Sequence, residues 1–251
     1  MRQFGLLGKG LTHSYSESYF NNKFSTLGLT DVCYNLFSVS DLTGMRDIIS
    51  ANPFLTGLNV TIPFKIDVIN FVDELDESAK AIGAVNTLKI LRQGKKTRIK
   101  GYNTDYLGFI ESIKSMNYKI YKKALILGTG GASRAIAYAL NLLSIDFLFV
   151  SRQQKNEATI NYNDLTKDLL SRYSLIINTT PLGMYPDIKS CPDIPFQYLG
   201  RKHLLFDLVY NPDKTVFLQK GQQQNTYICN GLNMLYAQAE YSWKIWNDEA
   251  L

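Results

Sequence analysis

Short runs of alternating or continuous apolar residues mark strands near the start of the chain, and 3.6-residue periodicity marks helices between them. Residues 3–8 (QFGLLG), 33–39 (CYNLFSV) and 57–62 (GLNVTI) read as strands. Residues 18–29 (SYFNNKFSTLGL) and 42–50 (LTGMRDIIS) read as helices. Two more strand-like runs, 84–91 and 97–105, flank Gly94 and predict a hairpin. Strand-helix-strand order of this kind predicts a parallel α/β sheet with a local antiparallel edge. A second cycle opens near Tyr106, where YLGFIESIKS predicts a helix. Residues 123–152 then run strand, glycine turn, helix, strand. Residues 175–181, 203–212 and 226–231 add three strands that end in polar loops. In residues 232–246, Leu232, Leu235, Ala239 and Trp246 share one helical face.

Composition narrows the class. Of 251 residues, 45% are apolar and 20% charged, the balance of a globular chain with room for one large domain or two small ones. No apolar run is long enough to span a membrane, and MRQFGLLG lacks the layout of a cleavable signal, so a cytoplasmic location and no membrane partner are expected. Cys33, Cys191 and Cys229 are far apart without metal-ligand spacing and read as ordinary cytosolic thiols; no metal is expected. The net charge is +5, and its densest stretch, residues 92–100 (RQGKKTRIK), surrounds the hairpin glycine. That pattern reads as a solvated turn, and the dispersal of the other basic residues argues against a nucleic-acid partner.

The stretch GTGGAS changes the picture, because it follows an apolar strand at 124–127 and opens a helix. Gly128 permits the tight turn, with Thr129 after it, and Gly130 lets a pyrophosphate approach the backbone. Gly131 and Ala132 begin a helix whose unpaired N–H groups and dipole favour an anion. Ser133 stands where the dinucleotide-binding pattern has a third glycine, and it is still small. After the next strand an NAD site places a carboxylate on the ribose 2′-OH. Here Ser151, Arg152 and Gln153 follow, with Lys155 close behind. A guanidinium binds a 2′-phosphate bidentately where a carboxylate would repel it, so the expected cofactor is NADP with Arg152 as discriminator.

The first half must then supply a substrate pocket. Its polar residues gather at predicted strand ends: THSYS after the first strand, NVTIPFK after the third, GAVNT in the hairpin and GYNTD before the helix at Tyr106. In open α/β sheets the ends of strands form the ligand crevice. Asn59 and Thr61 share one face of their strand by period-two spacing, and Lys65 follows Pro63. Hydride transfer to a ketone builds charge on oxygen, which a lysine can neutralise or protonate. Asp105, in YNTD, is a plausible partner for it. His13 reads as a helix-start residue and His203 as uninvolved in catalysis.

With THSYS, NVTIPFK, GAVNT, YNTDYLGF, GTGGASRA, NTTPLGM and NGLNMLYAQA in this order, the chain resembles the shikimate dehydrogenase family over nearly its whole length. The resemblance implies an oxidoreductase of the shikimate pathway, in aromatic amino-acid biosynthesis, that reduces 3-dehydroshikimate to shikimate reversibly with NADPH. It implies two α/β domains with an active-site cleft between them. The N-terminal substrate-binding domain has a mixed or parallel sheet (residues 1–105 plus 232–251), and the other is Rossmann-like and binds NADP (residues 106–231). It also implies roles for single residues. Ser14 and Ser16 hold the substrate carboxylate, with Thr61 also touching it. Lys65, Asn86, Asp105 and Gln238 contact the ring hydroxyls, and Tyr210 lines the pocket; beside that, the amides a diol needs can also come from Asn59. Leu208 and Gly231 border the nicotinamide, which Glu77 approaches from the helix before GAVNT. Ser14 and Ser16 have a second reading as helix caps. Glu17 follows Ser16 where the family continues into proline, and Asn230 and Asn233 replace its usual Asp and Gly. The rival readings are a quinate/shikimate dehydrogenase with relaxed NAD use and a non-catalytic NADP-binding regulator. Monomer and homodimer are both compatible with the sequence.

Overall fold

Val, Ile, Leu and Phe at successive positions make strands that are buried on both faces, and the chain spends such residues twice, once in each half. The computed structural model describes residues 1–94, 96–116, 118–153 and 158–251; Lys95, in the basic hairpin turn, and Lys155, expected at the cofactor, lie outside them. The chain forms two compact units, Met1–Gly108 with Leu235–Leu251, and Phe109–Met234.

The first unit contains β1 (Arg2–Gly8), α1 (Tyr15–Thr26), β2 (Val32–Ser38), α2 (Met45–Ala51), β3 (Leu55–Val60), β4 (Glu74–Leu75), α3 (Glu77–Ile82), β5 (Thr87–Gln93) and β6 (Lys96–Tyr102). The strands lie in the order β2-β1-β3-β5-β6-β4. β1 runs parallel to β2 and β3, whereas β5 is antiparallel to β3 and β6. The hairpin is therefore part of the sheet body, and the two-residue β4, parallel to β6, covers its outer edge. α1 begins at Tyr15, three residues before the sequence pattern places it. The Ser14 side chain accepts a hydrogen bond from Ser16 N and caps the helix, so the first turn forms from polar residues that carry no apolar period.

The second unit contains β7 (Lys123–Leu127), α5 (Gly131–Leu142), β8 (Asp146–Val150), β9 (Thr159–Ile160), α6 (Lys167–Arg172), β10 (Leu175–Asn178), β11 (Leu204–Asp207), α7 (Val216–Gln223) and β12 (Tyr227–Cys229). Its strands are all parallel, in the order β12-β11-β10-β7-β8-β9. The chain leaves β7 toward β8 and later returns to β10 on the other side, so the order reverses at β7. In doubly wound sheets the crevice at such a reversal takes the ligand. Threonines cap both α6 and α7: Thr166 accepts from Leu169 N and Thr215 from Leu218 N.

The unit boundaries fall inside α4 (Asp105–Lys114) and α8 (Leu232–Trp246). The buried stripe of α8 differs from the expected one. Gln238, Ala239, Ser242, Ile245 and Trp246 are buried, while Leu232 and Leu235 are only partly so. Two polar side chains occupy that stripe because buried polar groups at strand ends face it. At its far end Trp246 stacks on Phe4 at 4.6 Å between ring centroids and donates its indole N–H to Leu88 O. Phe20, Phe24, Tyr34 and Trp243 complete this aromatic cluster.

Candidate active site

The antiparallel direction of β5 brings its start to the sheet edge where β1, β3 and β6 end. Val60 N donates to Asn86 O and Asn86 N to Tyr102 O, so the loops beyond these strands begin side by side. Thr61 N donates to Leu7 O, and Val85 N donates to Lys65 O at 2.7 Å, which folds the segment after β3 back over the sheet.

At this edge Lys65 Nζ donates to Asp105 Oδ2 at 2.7 Å. The lysine side chain is 18% exposed and the aspartate 7%. The other carboxylate oxygen, Oδ1, accepts from Asn86 Nδ2 at 2.9 Å, and Asp105 N donates to Asn103 Oδ1. Asn86 is held at both ends of its amide: Oδ1 accepts from Thr104 N (2.7 Å), and Nδ2 also faces Gln238 Oε1 (3.2 Å). Gln238 Nε2 donates to Leu235 O. Lys65, Asp105, Asn86 and Gln238 thus form one hydrogen-bonded cluster, in which Asp105 Oδ1, Gln238 Oε1 and Thr104 Oγ1 share the two amide hydrogens of Asn86.

Asn59 joins it from below. Its Oδ1 accepts from the Tyr34 hydroxyl (2.8 Å), and its Nδ2 faces Ser242 Oγ, Thr87 Oγ1 and Asn86 O. Burial, with a smaller contribution from Glu17, pushes the Tyr34 pKa well above its ordinary value, so that hydroxyl remains a donor. The Asn59 amide, like that of Asn86, has protein partners at both ends. Ser14, half-buried, and Ser16, buried, sit at the start of α1, and Thr61 is half-buried beside the end of β1. Glu77 is exposed in the first turn of α3, lining a surface depression with Asp73, Glu74 and Lys80. His203 is buried with Nε2 3.0 Å from Leu170 O, a structural position.

In the second unit Gly128 has φ of +108°, and a Cβ there would lie 2.9 Å from Thr179 Oγ1, so the turn after β7 requires glycine. Space beside Gly130 is open, and no side chain caps α5. Ser133 fills the third-glycine position by turning its hydroxyl inward to Gly130 O (2.6 Å). Thr129, Gly131 and Ala132 are partly exposed around this helix start. Arg152 and Gln153 are exposed just past β8, and Ser151 N is tied to Ile160 O. These features fit a dinucleotide: an uncapped helix start with room for a pyrophosphate, and a guanidinium at the adjacent strand end. Leu208 N donates to Asn178 O, and a Cβ on Gly231 would meet Leu208 O at 2.1 Å, so only glycine lets these backbones approach. Tyr210 is half-buried two residues further on.

The profile of the shikimate dehydrogenase substrate binding domain matches residues 6–88. A shikimate dehydrogenase (NADP(+)) of Methanococcus maripaludis is 38% identical, covering 96% of this chain and 90% of that protein. The chain belongs to the shikimate dehydrogenase family. Among solved members, shikimate dehydrogenase 1 of Peptoclostridium difficile is 35% identical and superposes with a TM-score of 0.88 over 100% of this chain and 93% of that one. The Thermus thermophilus shikimate 5-dehydrogenase in complex with NADP(H) and shikimate is 27% identical, with a TM-score of 0.86 over 99% and 94%. The fold expected of a shikimate dehydrogenase, two α/β domains of which one is Rossmann-like, agrees with the two sheets seen here. Among the described residues no group of His, Cys, Asp and Glu could hold a metal ion, and no helix is long and apolar enough to cross a membrane.

Sequence reasoning missed Tyr34, Thr87, Thr104 and Ser242, which brace the cluster, and Asn178 and Asp207 in the second unit. Only Ser242 left a trace, four residues after Gln238 on the same helical face.

Proposed function

We propose that this protein catalyses the reversible, NADPH-dependent reduction of 3-dehydroshikimate to shikimate, with Lys65 and Asp105 as its proton-transfer and substrate-orienting pair. The observation that carries the assignment of roles is the 2.7 Å contact between Lys65 Nζ and Asp105 Oδ2, with Asn86 fixing the other carboxylate oxygen. Bound NADPH supplies the hydride that reduces the substrate ketone. Lys65 holds a proton at Nζ and delivers it to the oxygen on which charge develops; in the oxidative direction it takes that proton back. Asp105 keeps the ammonium aimed and accepts from the same substrate hydroxyl. Asn86 and Gln238 pair with the neighbouring hydroxyls, as amides suit a diol. Ser14, Ser16 and Thr61 offer hydroxyl donors to the substrate carboxylate. The second unit binds NADP through the turn at Gly128–Gly131 and through Arg152, with Leu208 and Gly231 bordering the nicotinamide.

The deciding assay follows NADPH formation from NADP+ and shikimate. Lys65→Ala should lower kcat by about 10²–10⁴-fold, the usual range for a general acid–base group. The KM for shikimate should shift far less. Turnover within about threefold of wild type would remove Lys65 from the mechanism.

A further inference from the structure

Ser242 is fully buried on α8, and its one hydroxyl meets four partners. It donates to Gln238 O at 2.9 Å and accepts from Asn59 Nδ2 at 2.9 Å. Its oxygen also lies 2.8 Å from Thr87 Oγ1 and 3.2 Å from Thr104 Oγ1. A hydroxyl has one proton and two lone pairs. With the proton on Gln238 O and one lone pair facing Asn59, a single lone pair remains for the two threonines. Thr87, the nearer, takes it as donor. Thr104 is then left to donate to Asn86 Oδ1 (3.2 Å) or Gln238 Oε1 (3.3 Å), while accepting from Asn86 Nδ2 at 2.9 Å.

We propose that Ser242 is a positioning residue for the substrate site, setting the orientation of the Asn86 and Gln238 side-chain amides through Thr87 and Thr104. The inference rests on the reading of Asn86 and Gln238 as substrate contacts given above. Serine is a poor helix-interior residue compared with alanine, and here its side chain is fully buried among polar groups, where losing a partner is costly. Without it, Asn59 Nδ2 loses an acceptor and Thr87 loses its closest one. Thr87 then turns to Asn86 Oδ1, 3.1 Å away, and competes with Thr104 for the atom that orients that amide.

The test compares Ser242→Ala, Ser242→Cys, Asn86→Ala and the Ser242→Ala/Asn86→Ala double variant in the full chain. Ser242→Ala should raise the KM for shikimate about fivefold or more, the consequence of losing a buried hydrogen bond at a ligand-facing network. The KM for NADP+ should stay within about twofold. Cysteine restores the volume but is a weak hydrogen-bonding group, so Ser242→Cys should resemble Ser242→Ala. The double variant should be no worse than Asn86→Ala alone, because Ser242 acts through that residue. Wild-type behaviour of Ser242→Cys, an unchanged shikimate KM in Ser242→Ala, or additive losses in the double variant would each overturn the role of Ser242 alone. If Ser242→Ala has no cooperative melt, the cysteine variant decides by the same KM comparison. An unchanged shikimate KM in Asn86→Ala overturns the substrate-site reading, and the Ser242 role with it.

Discussion

Arg152 stands exposed immediately past β8, one strand over from the glycine turn, where a carboxylate would select for an unphosphorylated ribose. A charge-assisted, bidentate contact to a phosphate contributes about 1.5–3 kcal/mol. Arg152→Ala should therefore raise the KM for NADP+ by roughly ten- to a hundredfold and leave that for NAD+ within about twofold. A steady-state comparison of the two cofactors measures the ratio directly, and an unchanged ratio would assign selectivity elsewhere. At this scale much of the candidate cluster is legible in the sequence, since Lys65, Asp105 and Asn86, which the fold brings together, lie in short motifs whose spacing has a chemical reason. Asn59 illustrates the limit. Period-two spacing places it on the face of Thr61, but its side chain is bound by Tyr34 and Ser242, residues 25 and 183 positions away in the chain. Contacts at such separation leave no local pattern.

At the scale of elements, Asp207 at the end of β11 ties three pieces of the second unit together. Its Oδ1 accepts from Asn178 Nδ2, at the end of β10, and from Val209 N; its Oδ2 accepts from Thr215 Oγ1, the cap of α7. Burial pushes its carboxyl up to about 6 despite these donors. An unfolded aspartate titrates near about 3.9, so the folded state holds the proton more tightly. The protonated form contributes stability that is fully present below pH about 4 and lost as pH rises through about 6, on the order of 3 kcal/mol in all. Asp207→Asn keeps the shape and removes the titration. Subtracting its unfolding free energies from those of wild type at pH 4, 5, 6 and 7 should give a difference that falls with pH; a flat difference would show that Asp207 is not the titrating group. The short helices α6 and α7 are each fixed by one threonine cap, and their buried residues Leu170, Phe217 and Leu218 join the same core as Ile176 of β10 and Leu205 of β11. Six or eight residues form no stable helix alone, so this packing decides them.

For the whole molecule, periodicity conveys two α/β halves but leaves open where the last helix belongs, which only the family resemblance assigns to the first. The answer lies in shape. A Cβ at Gly57 would lie 2.2 Å from the Trp246 indole nitrogen, so β3 carries glycine to admit a side chain from α8. Trp243, Ile245 and Trp246 then close the aromatic cluster over Phe4, Phe20 and Tyr34. Residues 1–108 expressed alone should lack a cooperative thermal transition, because burying one tryptophan side chain is worth about 3 kcal/mol or more and three large apolar side chains are missing. Joining residues 235–251 to that fragment by a flexible linker should restore the transition, as circular dichroism melting would register. A cooperative melt of the bare fragment would contradict this dependence.

The return of α8 also imposes an order in time. A ribosome reaches Gln238 and Ser242 only after it has made the whole of Phe109–Met234, an interval on the order of ten seconds at ordinary elongation rates. During that interval the nascent first unit exposes Phe4, Phe20 and Tyr34 without their tryptophan lid, a sticky surface of the kind chaperones hold. The same helix that completes the polar cluster shields the aromatic one, so completion of that cluster and protection from aggregation arrive together.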